Sequence, residues 1–293
     1  MEGSVLTQVV LPVALGIVML GLGLSLTPND FTRGLKAPKA VIIGLLCQLV
    51  LLPILGFSVA AAFGMTGGLA IGLVVLSLCP GGVTSNIISY LAKGDLALSV
   101  TLTAITSLVT PFTIPLLTSL AFSWFGAEQA EISLPVGKTI GALVLITILP
   151  VSLGMAIRAR KPAFAERSEK IVSVASLLFL LAIIAGIIRQ NADNIGTIFA
   201  LAGWSALTLN VVSMAAGYGI AVLARLKRSA TIAIGVEVGI QNGTTALFIT
   251  GTLLSSPEMS IPPAVYSLIM FGTGAIFGVA VNVGREKLPG PLS

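Results

Sequence analysis

The stretch Ile232-Ala-Ile-Gly-Val-Glu-Val-Gly-Ile-Gln-Asn-Gly-Thr-Thr-Ala-Leu-Phe-Ile249 carries one carboxylate, Glu237, inside an apolar run long enough to cross a bilayer. Gly239 and the cluster Gln241-Asn242-Gly243 follow within six residues. Glycine weakens a helix, so the chain is expected to unwind there. A carboxylate near the bilayer centre costs roughly 3 kcal/mol by insertion scales, so it marks a functional group or a well-paired one. An unwound stretch beside such a charge is the arrangement with which membrane carriers bind cations.

Outward from this stretch, the composition is that of a polytopic α-helical membrane protein. The chain has 293 residues, 56% of them hydrophobic and only 9% charged. Soluble domains run near 25% charged. No short alternating segments of a transmembrane barrel are visible. The net charge of +5 does not read as nucleic-acid affinity, because the basic residues sit in short loops between apolar stretches. There is no histidine, which removes Ser-His and Cys-His catalysis and the usual zinc sites. With no acidic dyad either, an intramembrane hydrolytic enzyme is a remote alternative. Cys47 and Cys79 both lie in apolar stretches and imply no disulfide framework. The first residues lack a basic segment, so the first apolar stretch is expected to remain as a span rather than a cleaved signal.

Nine spans are expected, at residues 5–27, 39–63, 68–92, 96–125, 138–157, 170–189, 195–224, 229–255 and 262–284. Their loop charges fix an orientation. With the N-terminus outside, the cytoplasmic segments hold Arg33, Lys36, Lys39, Lys93, Arg158, Arg160, Lys161, Arg167, Lys170, Arg225, Lys227, Arg228, Arg285 and Lys287, leaving only Lys138 and Arg189 near the outer face. The positive-inside rule then holds throughout and puts the C-terminus in the cytoplasm. This fits a bacterial inner (plasma) membrane.

The third span is also interrupted, by Cys79-Pro-Gly-Gly82. Proline removes a helix donor and clashes with the preceding turn. Spans three and eight run in opposite directions, and paired interrupted spans in two halves point to a transporter binding site. Pairing three with eight, four with nine, two with seven and one with six leaves span five alone. That is an inverted repeat of five helices whose first copy lacks its first member, with the two broken helices expected to cross.

Each break frees carbonyls at one half-helix and amide groups at the other, which attract cations and anions respectively. The nearby side chains are hard oxygen ligands: Thr84, Ser85 and Asn86 after the first break, and Glu237, Gln241 and Asn242 around the second. One carboxylate among neutral oxygens suits sodium better than a calcium cage. Ser99, Thr103, Thr106 and Thr110 recur at helical spacing on span four, within about 60° of one another. Thr106 and Thr110 read equally as residues bonded to their own helix. Gln48 is the strongly polar side chain deep in span two, five residues before Pro53.

Pro80-Gly-Gly-Val-Thr-Ser-Asn86, Tyr90-Leu-Ala-Lys-Gly-Asp-Leu-Ala-Leu-Ser-Val100 and Glu237-Val-Gly-Ile-Gln-Asn242 together resemble the bile acid:sodium symporter family, with the likeness running from Gly21-Leu-Gly-Leu-Ser-Leu26 onward. The resemblance implies a panel domain (residues 1–27 and 138–190, spans one, five and six) and a core domain (residues 39–125 and 195–284). It implies two sodium ions, one held by Ser85, Asn86, Ser99, Thr103 and Glu237. The other would be held by Gln48, Glu237, Gln241 and the backbone of Val238 and Ile240.

On the substrate side the sequence departs from bile-acid-binding bacterial relatives. Met270-Phe271 stands where they carry a His-Asn pair, and Val83 where they carry a threonine. Asn242, Gly243, Thr244, Thr84, Met270 and Thr273 are the expected substrate contacts. They favour a small carboxylate, of the pantoate or keto-acid kind, over a sterol anion. A bile-acid symporter and a proton-coupled carrier using Glu237 are the alternatives.

Overall fold

The computed structural model describes residues 9–33, 38–126, 135–190 and 195–283. Lys36, Arg285 and Lys287, used above for orientation, lie outside the described residues, as do residues 5–8 and 284 of the expected spans. Every regular element among the described residues is helical.

The chain opens with α1 (Leu11–Ser25) and a short α2 (Pro28–Arg33). The second span is a continuous rod in three parts: α3 (Pro38–Leu46), a wide π-helical turn over Cys47–Leu51, and α4 (Leu52–Ala62). Pro53 explains the wide turn. It has no N–H to give and its ring crowds the carbonyl four residues back, so the turn before it expands. The same device recurs between α8 (Val136–Leu143) and α9 (Leu149–Arg160), where Val144–Ile148 widens ahead of Pro150.

The third span is two half-helices, α5 (Gly67–Ser77) and α6 (Val83–Leu91). Helix α7 (Leu96–Phe125) is unbroken over 30 residues despite Pro111 and Pro115, and Asp95 caps its start by accepting from Leu98 N–H at 3.1 Å. Helices α10 (Pro162–Gln190) and α11 (Ile195–Leu223) follow. The eighth span is α12 (Arg228–Gly239), then α13 (Gly243–Phe248) continued by a wide turn over Ile249–Leu253. The last helix is α14 (Pro257–Ala280). Both expected breaks are present, at residues 78–82 and 240–242.

Among the described residues six helices are long and apolar enough to cross a bilayer: Pro38–Ala62, Leu96–Phe125, Val136–Arg160, Ala202–Leu223, Arg228–Leu253 and Pro257–Ala280. Two shorter apolar helices are Leu11–Ser25 and Gly67–Ser77. The stretch containing Glu237 is the most enclosed, its apolar window 100% buried. It packs against α11, α7 and α6, so its polar groups face protein rather than lipid. In another part of the molecule α1 packs on α9 and α10. Leu145, Leu149, Ile171, Val174 and Leu178 are among the many exposed apolar side chains, as a lipid-facing surface requires.

Candidate functional site

The two breaks meet. Asn242 N–H donates to the Pro80 carbonyl at 2.9 Å, tying one interruption to the other. Glycine permits the approach: a Cβ at Gly81 would run into Glu237 Oε1 and stand 2.9 Å from Ser85 Oγ. The Pro-Gly-Gly sequence therefore ends one helix and also lets its backbone lie against the carboxylate.

Glu237 is fully buried. Its Oε2 accepts from Ser85 Oγ at 2.9 Å and Ser99 Oγ at 3.1 Å, and its Oε1 from Thr103 Oγ1 at 2.6 Å. Asn86 Oδ1 joins the cluster, 2.9 Å from Ser99 Oγ and 3.4 Å from Thr103 Oγ1. Ser85 Oγ is also 2.8 Å from the Gly82 carbonyl. Among the described residues no Lys or Arg forms an ion pair with Glu237.

The hydrogen count of this cluster matters. Each hydroxyl has one proton to donate. Ser85, Ser99 and Thr103 thus bring three protons to four close contacts with the Glu237 carboxylate and the Gly82 carbonyl. Oxygen lone pairs face one another with too few hydrogens between them. An added positive charge, a cation or a proton on Glu237, relieves that arrangement.

A second group of oxygens lies on the other side of the break. Gln48 Nε2 donates to Gln241 Oε1 at 2.8 Å and to the Cys79 carbonyl at 3.0 Å. Gln48 sits inside the wide turn Cys47–Leu51, and its Oε1 is buried with no hydrogen-bond partner. Gln241 Nε2 donates to the Val238 carbonyl at 2.9 Å and reaches the Glu237 carbonyl at 3.3 Å. The structure thus brings together Ser85, Asn86, Ser99, Thr103 and Glu237 in one cluster and Gln48, Gln241 and the backbone near Val238 in an adjoining one.

Beside the breaks lies a cavity of about 910 Å³. Thr84, Asn242, Gly243, Thr244 and Met270 line it; Thr273 does not, and its hydroxyl donates to the Ile269 carbonyl at 3.1 Å in its own helix. Val18 and Gly21 of α1 and Val172 and Leu180 of α10 form the facing wall. The inner end, at Asn242, Gly243 and Met270, is buried. At the other end Leu91, Val279 and Val283 are strongly exposed, so the cavity opens there, beside Lys93 and Asn282.

Sequence reasoning missed two contributors. Asn210 of α11 and Tyr266 of α14 both donate to the Gly239 carbonyl, at 2.7 and 2.8 Å. They stand 29 and 27 residues from Gly239 and look like ordinary helix residues. Of the two readings left open for Thr106, the structure shows the bond to its own helix, its hydroxyl donating to the Leu102 carbonyl at 2.8 Å.

Paired half-helices enclosing an unpaired carboxylate, beside an apolar cavity with a polar inner end, define a class: an integral membrane carrier. Comparison with known proteins gives the family. The sequence profile of the Sodium Bile acid symporter family matches residues 11–198, and the chain belongs to that family of sodium-dependent transporters, not of enzymes. The uncharacterized sodium-dependent transporter YocS of Bacillus subtilis is 29% identical over 255 residues, 87% of this chain and 77% of that one. The human ileal sodium/bile acid cotransporter is 30% identical over 286 residues, 94% and 79% of the two chains. A probable chloroplastic sodium/metabolite cotransporter, BASS2 of Oryza sativa subsp. japonica, is 29% identical over 267 residues, 91% and 62%.

Proposed function

We propose that this chain is a sodium-coupled secondary active symporter of an organic anion, working by alternating access between a core and a panel. The observation that carries the proposal is the proton-poor oxygen cluster around Glu237. One sodium would use Ser85, Asn86, Ser99, Thr103 and Glu237. A second would use Gln48, Glu237, Gln241 and the backbone of Val238 and Ile240, a reading supported by the unpartnered Gln48 Oε1. Two sodium ions with one monovalent anion make each cycle carry one net positive charge inward.

The nine-span inverted repeat and the core–panel division belong to the same reading. They are supported by the packing of α1 on α9 and α10, and by the cavity lying between that group and the broken helices. With the N-terminus outside, the cavity mouth at Lys93 faces the cytoplasm, an inward-open state.

The transported anion would bind at the inner end of the cavity, near Thr84, Asn242, Gly243, Thr244 and Met270. The side-chain amide of Asn242 and the hydroxyls of Thr84 and Thr244, which line the cavity, suit one carboxylate, which favours a small hydroxy or keto acid. One observation favours a second reading, a bile-acid-sized amphipathic anion: the cavity is near the top of the volume range of ligand pockets, and most of its walls are apolar.

Uptake into proteoliposomes tests the proposal. A sodium gradient should drive accumulation of pantoate or pyruvate, with taurocholate as the competing substrate. Glu237→Ala and Asn86→Ala should abolish it. Uptake that continues when choline replaces sodium at fixed pH overturns sodium coupling and leaves a proton on Glu237 as the coupling charge.

A further inference from the structure

Helix α12 ends at Gly239, so its last carbonyls lose their helical partners. Their present partners differ in kind. The Val236 carbonyl keeps a backbone bond, from Ile240 N–H at 2.8 Å. Those of Glu237 and Val238 receive the Gln241 side chain, which moves with the break itself. The Gly239 carbonyl instead receives two donors from outside the span, Asn210 Nδ2 at 2.7 Å and Tyr266 OH at 2.8 Å. Both side chains are fully buried and both belong to unbroken stretches of helix, so this carbonyl is held from two sides. Packing adds to the hold: a Cβ on Gly239 would meet Met214 of α11 at 2.6–3.1 Å.

The next residue, Ile240, is extended, with φ −112° and ψ 107°. In extended backbone the carbonyls before and after a residue point in nearly opposite directions. A Gly239 carbonyl pinned by Asn210 and Tyr266 therefore turns the Ile240 carbonyl away from those two donors. With two donors on its oxygen, Gly239 is itself a poor cation ligand.

We infer that Asn210 and Tyr266 are positioning residues that set the aim of the Ile240 carbonyl toward the second sodium ion. The inference rests on the proposed second cation site. Metal sites characteristically lose about 10- to 100-fold in affinity when such supporting hydrogen bonds are removed.

Sodium-dependent uptake and sodium-dependent thermal stabilisation test it, on the full chain carrying Tyr266→Phe, Asn210→Leu, or Gln241→Leu as a reference. Tyr266→Phe changes only the hydroxyl. It should raise the half-saturating sodium concentration about tenfold, with uptake recovered by raising sodium. Its melting temperature should fall further below the wild type in sodium than in choline, because the cation's share of the stability is lost in addition to the hydrogen bond. Asn210→Leu should act in the same direction, and the double variant should exceed either single one. An unchanged sodium midpoint in Tyr266→Phe, while Gln241→Leu shifts it, overturns the positioning role and leaves the cation site standing. Unchanged midpoints in all three overturn the site with it. Equal loss of stability in choline and in sodium marks a purely structural hydrogen bond and also overturns the inference.

Discussion

At Glu237, identity and surroundings separate the possible roles. A carboxylate kept only for packing would have a basic partner or a full set of donors. This one has three hydroxyls shared with Asn86 and Gly82. Glu237→Gln keeps the shape but removes the charge and places N–H donors among the hydroxyls. Sodium should then no longer stabilise the protein: a thermal-shift titration of NaCl against choline chloride should be flat for the variant. The wild type should gain about 2.7 kcal/mol per bound ion at a sodium concentration 100 times its dissociation constant. An equal sodium response in both would remove Glu237 from the cation site. Gly81→Ala offers a steric counterpart. Its methyl would collide with Glu237 Oε1 and Ser85 Oγ, whereas a Cβ at Gly16 of α1 meets nothing within 4 Å. Gly81→Ala should lower sodium affinity at least tenfold, and Gly16→Ala should leave it unchanged. Sodium activation curves of the two variants compare them directly.

Among the elements, the breaks were readable and their supports were not. Pro80-Gly81-Gly82 and the glycines flanking Gln241-Asn242 work through local backbone rules, so the interruptions fall at residues 78–82 and 240–242 as expected. Pro53 gave a weaker signal. It announces a disturbed helix, but a kink and a wide turn satisfy it equally, and only the packed structure places Gln48 within Cys47–Leu51. Asn210 and Tyr266 gave none, because their meaning comes from a carbonyl on another span. Thr273 shows the converse: a hydroxyl near the expected pocket in sequence is turned to its own helix. The wide turn yields a prediction. Pro53→Ala restores an N–H that can pair with the Leu49 carbonyl and tighten the turn, shifting the register of Gln48 against Gln241. The sodium midpoint should rise several-fold, and Gln48→Leu should add little further on that background. Additive effects of the two substitutions would mean that the turn does not act through Gln48.

Across the whole molecule, a cavity lies beside the breaks, between α1 and α10 on one side and α6, α13 and α14 on the other, and in the proposed reading it is the route of the solute. It is open beside Leu91, and its inner end at Asn242 is buried. The native cysteines are buried, Cys47 at 3% and Cys79 at 1% exposure, so an introduced cysteine can be labelled without altering the background. Leu91→Cys, at the mouth, should react with a membrane-impermeant maleimide only from the cytoplasmic face. Thr66→Cys, exposed in the turn before α5 and making no capping hydrogen bond, should react only from the outer face. The reverse pattern would invert the orientation drawn from the basic loops. Ile87 is the sharper position. It lines the cavity on α6, 48% exposed, between the mouth and the breaks. Without sodium, Ile87→Cys should be labelled from the cytoplasmic side alone. With sodium and a transported anion supplied outside, the core must swing and expose the same residue outward, so labelling from the outer face should appear during turnover. Active uptake with Ile87→Cys still closed to the outer reagent would rule out alternating access through this cavity.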